Sequence, residues 1–90
     1  MGISVNIHPY LYHLTNNQEV VEVDGTTVGE CLKDLIKQFP DIKQVLFDQN
    51  GKFINYVNIY INMEDAFPNE LAKSVKDGDE LHILPIIMGG

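Results

Sequence analysis

Ninety residues suffice for one domain with one modest core, since a chain of this size buries roughly 60–65% of its unfolded surface. Thirteen carboxylates against six Lys and no Arg leave a formal charge of −7, which excludes the basic footprint of a nucleic-acid binder and the bidentate Arg clamp common at phosphate sites. No apolar run is long enough to cross a bilayer, and a single cysteine excludes an internal disulfide and fits the reducing cytoplasm.

The start, Met1-Gly2-Ile3-Ser4-Val5-Asn6, lacks the basic and apolar regions of a secretory signal. Asn6 also stands where a myristoylation pattern needs Ser or Thr. Ile3, Val5 and Ile7 alternate with polar residues and predict a half-buried first strand that Pro9 interrupts. Residues 10–17 read as a loop turning at Asn16-Asn17. Glu19–Asp24 predicts a second strand with Val21 and Val23 inward, ended by Asp24-Gly25.

Thr27-Val28-Gly29-Glu30 fits a capping box and opens the clearest helix. Val28, Cys31, Leu32, Leu35, Ile36 and Phe39 form its apolar stripe, and Pro40 stops it. Ile42, Val45 and Leu46 are spaced for a short second helical segment. Asn50-Gly51 predicts a turn between extended pieces at 46–47 and 53–54. Residues 56–62 alternate, with Val57, Ile59 and Ile61 inward, Tyr56, Asn58, Tyr60 and Asn62 outward, and Met63 extending the inward set. Glu64-Asp65 opens a loop anchored by Leu71, Ala72 and Val75. After the Asp77-Gly78 turn, Leu81, Ile83, Pro85 and Ile87 fall on one side of a last strand, and Glu80, His82, Leu84 and Ile86 on the other. Pro85 lacks an N–H, so sheet pairing ends near it. Strand, strand, helix, strand, strand in this order predicts a two-layer α+β domain with one sheet face covered and one open.

Met88-Gly89-Gly90 then remains. Glycines lose the most entropy on ordering and have nothing to pack, yet they suit a carboxylate threaded extended into a narrow slot. Gly78-Asp79-Glu80-Leu81, Pro85 and Gly89-Gly90, together with Thr27-Val28-Gly29-Glu30, Phe39-Pro40, 57–62 and Glu64-Asp65, resemble the MoaD/ThiS family of ubiquitin-like sulfur carriers, in its MoaD-like or CysO-like branch. One departure is the bulky Ile86-Ile87-Met88 step before the glycines. The resemblance covers nearly the whole chain. It implies a β-grasp, ubiquitin-like fold with a mixed sheet, one main helix on one face, and the first and last strands adjacent at the centre. Residues 1–87 would be the domain and 88–90 a flexible tail.

The resemblance further implies a carrier rather than an enzyme. An activating enzyme of the MoeB/ThiF type would use ATP to adenylate the Gly90 carboxylate, with Gly89 helping the tail through the enzyme's channel. A sulfur donor used by that partner would then convert it to a thiocarboxylate, and no cofactor would be bound by the chain itself. The acceptor would be a molybdopterin precursor, an activated serine derivative or a thiazole precursor. In the first case the partner would be the large subunit of molybdopterin synthase. The alternative is a ubiquitin-like modifier or an interaction module. His82, Leu84, Ile86, Met88, Tyr56 and Tyr60 are the expected partner-binding residues on the open face. Cys31, within the helix stripe, is expected to be an inert core thiol. His8, His13 and His82 lack metal-ligand spacing, and Asp77, Asp79 and Glu80 read as solvated turn carboxylates.

Overall fold

The computed structural model describes residues 2–54 and 56–86. Its strands are β1 (Ile3–Ile7), β2 (Val20–Val23), β3 (Val57–Ile61), β4 (Glu64–Asp65) and β5 (Glu80–Pro85), and its helices include α1 (Val28–Gln38) and α2 (Lys43–Leu46). The strands form one sheet in the order β2-β1-β5-β3-β4. β5 pairs parallel with β1, Val5 opposite Leu81, and antiparallel with β3, Ile59 opposite Ile83. The expected mixed sheet, with first and last strands adjacent at its centre, is therefore present.

Period-two alternation puts Ile3, Val5, Val21, Val23, Ile59, Leu81 and Ile83 on one face, and all are buried. Val28, Cys31, Leu32 and Leu35 of α1 meet them, with Ile36 and Phe39 packed at the margin. Ile42 and Leu46 close the core from beyond Pro40, where a 3-10 turn leads into α2. Phe47 and Phe53 bridge across the Asn50-Gly51 turn, which Asp48 fastens by accepting the N–H groups of Asn50 and Lys52 at 2.8 and 2.9 Å.

The start of α1 is laced to a distant segment. Thr27 accepts the Glu30 N–H at 3.2 Å, as an N-cap should. The Glu30 carboxylate, however, reaches Thr26 instead of Thr27, accepting its N–H at 2.8 Å and its hydroxyl at 2.9 Å. Those bonds hold the Glu30 carboxyl below its usual range. The otherwise orphaned Val28 N–H donates to Lys73 O, and the Val75 N–H donates to Thr26 O. This close packing needs glycine at position 25, where a Cβ would lie 2.8 Å from the Cys31 nitrogen.

Four expectations need correction. Residues 9–14 form a 3-10 helix rather than a loop, because Leu11 and Leu14 have a core to enter. Met63 does not extend the inward face. Asn62 and Met63 both have positive φ, the signature of a two-residue hairpin turn, and Met63 is 80% exposed. Glu64-Asp65 accordingly forms the short edge strand β4. Ala72 is exposed, while Ala66 is buried and shares with Leu71 and Val75 the anchoring of this connection.

Gly25→Ala should destabilise the fold by about 1–3 kcal/mol, the usual cost of forcing a methyl group into a packed site. Denaturant midpoints of the two proteins measure this. An unchanged midpoint would show that the α1 start relaxes freely.

Candidate docking face and tail exit

The central strand shapes the site. Leu81 and Ile83 point into the core, which forces His82, Leu84 and Ile86 onto the open face. Antiparallel register places Tyr60 opposite His82 and Asn58 opposite Leu84. The Ile86 N–H donates to Tyr56 O at 2.9 Å, so Tyr56 borders the point where pairing stops. Tyr56 is 66% exposed, while Leu84 and Ile86 are exposed by rather more than a third. The structure thus brings Tyr56, Tyr60, His82, Leu84 and Ile86 onto one face, with Tyr60 half-buried. Gly89, Gly90 and Met88, and the predicted tail at 88–90, lie outside the described residues.

His82 is more enclosed than an open-face residue need be. Its side chain is one-quarter exposed, and its Nε2 lies 3.6 Å from the Glu80 carboxylate, beyond hydrogen-bond distance. That nitrogen has no hydrogen-bond partner among the described residues. Glu80, and by register Glu22 and Asp65, share this face, while the strands contain no Lys. The face is therefore apolar and aromatic near the end of β5 and anionic toward its start. Alternation already places Glu80 on this side, two residues before His82, whereas Glu22 and Asp65 join it only through the strand register.

Asp79 departs from the expected solvated turn. It is buried and accepts from Asn62 Nδ2 at 2.9 Å and from the Lys76 N–H at 2.9 Å. Asn62 Oδ1 in turn accepts the Glu80 N–H at 2.9 Å. These two bonds of the Asn62 amide tie the β3–β4 turn to the start of β5. The Asn62 bond, the Lys76 N–H and then the Lys76 ammonium hold the Asp79 carboxyl below its usual range. The sequence signal was a turn asparagine in the same chain as Asp77-Gly78-Asp79, but nothing local joins them.

The buried Cys31 thiol behaves as expected of a core residue. Burial, followed by the charges of Glu30, Asp34 and Asp24, pushes its pKa up to about 11, so it is protonated and a poor nucleophile at neutral pH. His8 caps its own 3-10 turn, accepting the Tyr10 N–H on Nδ1 at 3.1 Å. Among the described residues no cluster of three or more His, Cys, Asp or Glu could hold a metal, and no helix is long and apolar enough to cross a membrane.

A sequence model of the ThiS family matches residues 7–90. Sulfur carrier protein CysO of Mycobacterium tuberculosis is 38% identical over 93 aligned residues, covering all of both chains. Small archaeal modifier protein 1 of Haloferax volcanii is 34% identical over 71 residues, 78% of each chain. A chain in the crystal structure of the Amycolatopsis orientalis BexX/CysO complex superimposes with a TM-score of 0.88 at 37% identity, covering 99% of this chain and 100% of that one.

Because its folded carboxyl titrates below the unfolded value, Asp79 stabilises the native state fully above about pH 4. That contribution is lost as pH falls through the folded pKa. Asp79→Asn should therefore be less stable than the parent at neutral pH, and the gap between their melting temperatures should narrow in acid. A gap independent of pH would show that the carboxylate charge contributes nothing.

Proposed function

Because the chain belongs to the ThiS family, we propose that it is a sulfur carrier of the CysO type whose reactive group is the carboxylate of Gly90. The carrying observation is the place of β5. The strand that leads to Gly89-Gly90 is the central strand of the sheet, its last described pairing is Ile86 to Tyr56, and the open sheet face lies beside it. Ile54, just before β3, donates its N–H to Leu46 O at 2.9 Å. Pro85 lacks an N–H to continue the ladder, which favours release of the residues beyond it for threading into an enzyme.

The chemistry proceeds in balanced steps. A free carboxylate resists nucleophiles because it is anionic and has no good leaving group. Attack of one Gly90 carboxylate oxygen on the α-phosphorus of ATP gives the acyl-adenylate and releases pyrophosphate. Sulfide then attacks the carbonyl carbon, the C–O bond to AMP breaks, and a thiocarboxylate remains. Splitting one difficult substitution into two easier ones is the usual benefit of a covalent intermediate. The terminal glycine leaves the carbonyl unhindered. ATP and the sulfur donor belong to a MoeB/ThiF-type partner, which docks on His82, Leu84, Ile86, Tyr56 and Tyr60. The likeness to CysO favours an activated serine derivative as sulfur acceptor over a molybdopterin precursor. A supply of ATP and a reduced sulfur donor suits a carrier working in the cytoplasm.

The likeness to small archaeal modifier protein 1 supports a second reading, in which an amine of a lysine displaces AMP and an amide forms. The two readings share adenylation and differ in the next nucleophile.

Intact mass after incubation with ATP, sulfide and the activating enzyme should show exchange of one oxygen for sulfur at Gly90, absent from a chain lacking that residue. Lysine conjugates without thiocarboxylate would favour the modifier. No change with an enzyme proven active would overturn both readings. Leu84→Asp, on an exposed position, should preserve the melting temperature yet lower the rate of adenylation about tenfold or more, as loss of a central apolar contact does. An unchanged rate would remove the open face from the docking surface.

A further inference from the structure

At the end of the sheet opposite the tail exit, β3 passes into β4 through Asn62 and Met63. Both residues of this turn are left-handed, with φ of 49° and 77°. Asn tolerates that region, but Met is a poor choice where glycine is the usual second residue. The turn holds the methionine side chain outward, 80% exposed. Phe67, 69% exposed, follows closely, its N–H fixed by the Asp65 carboxylate at 2.9 Å. Between them lie Glu64 and Asp65, exposed and without a cation within ion-pair distance among the described residues. The result is an apolar projection with an anionic collar.

A recess of complementary character lies on the helical layer. Ile36 and Phe47 are its apolar lining, and Gly51, Lys33 and Lys43 border it. Its volume is about 280 Å³. At roughly 30 Å³ for a water-sized group, the four heavy atoms of a methionine side chain need about 120 Å³. Neither rim lysine meets a carboxylate within ion-pair distance among the described residues.

We propose that the Met63 hairpin of one copy docks into the Lys33–Lys43 recess of a second copy. Sulfur and methylene groups of Met63 would cover Ile36 and Phe47, while Glu64 and Asp65 meet the two ammonium groups. The contact is heterologous, since projection and recess are different surfaces, so it propagates head to tail instead of closing a two-fold dimer. It is also small, well below the area of a stable interface, so association belongs to high protein concentration. The recess is on the layer opposite the open sheet face, and of the projection Asp65 alone belongs to that face. This inference goes beyond the carrier reading and does not rest on it.

Sedimentation equilibrium and ¹⁵N–¹H spectra of the full chain, from micromolar to millimolar, test it. Reversible association is expected, weakened by salt, with shifts concentrated at the β3–β4 turn and around Ile36 and Phe47. Met63→Asn keeps a residue that tolerates the turn and should raise the dissociation constant about tenfold. Glu64→Lys or Lys33→Glu alone should also weaken association. The chain carrying both should recover it, because the reversed charges face one another again. A monomer at millimolar concentration, or association that ignores Met63→Asn or is not restored in the doubly reversed chain, would overturn the proposal. Melting temperatures equal to the parent's confirm that these exposed substitutions leave the fold intact.

Discussion

The parallel pairing of β1 with β5 is the constraint on which the rest depends. Parallel neighbours cannot be joined by a tight turn, so the chain between them must cross over. Here it makes a hairpin, places α1 across one face, adds β3 and β4, and only then inserts β5 beside β1. The chain's last strand thereby becomes the centre of the sheet. Leu81 and Ile83 are anchored by neighbours on both sides. A rigid central strand feeding a chain end is what a carrier needs, since docking of the body then determines where the tail starts.

Two polar devices hold the elements that this topology leaves far apart in sequence. One joins the start of α1 to residues 73–75 through backbone bonds that complete the helix N-terminus. The other is the Asn62–Asp79 pair, which joins the β3–β4 turn to the start of β5. Both satisfy groups that would be costly to bury unpaired. The second also fixes the register of β5 against β3, and a slip of one residue there would exchange the core face for the open face. Leu84 and Ile86 remain outward only because Leu81 and Ile83 are held inward.

Charge is distributed unevenly over this frame. Every Lys lies in a helix or a connection, whereas the strands carry Glu22, Glu64, Asp65 and Glu80. A net charge of −7 therefore does more than keep a small protein dispersed. It gives the sheet side one sign and the helical side a mixture, so the two layers present different surfaces to other proteins. The thiol of Cys31 is buried beneath the helix, where burial and the nearby carboxylates push its pKa up to about 11.

Local pattern was enough for much of this molecule. The period-two runs of β1, β2, β3 and β5, the Thr27 cap and stripe of α1, the stop at Pro40, the end of pairing near Pro85 and the inert Cys31 all depend on neighbours within a few residues, and the sequence displays such neighbours directly. The family motifs, in order along the chain, also pointed to the fold and to the open face. What only the tertiary structure decided involves partners far apart. The 3-10 helix at Pro9–Leu14 forms because Leu11 and Leu14 find a core to fill. Met63 turns outward because Asn62 takes a left-handed conformation and bonds to Asp79, seventeen residues away. Asp79 is buried for the same reason, and His82 is enclosed by the strands beside it. The alternation of side chains is a property of one strand, whereas the satisfaction of a buried polar group requires two segments to meet, and the meeting is made by the fold.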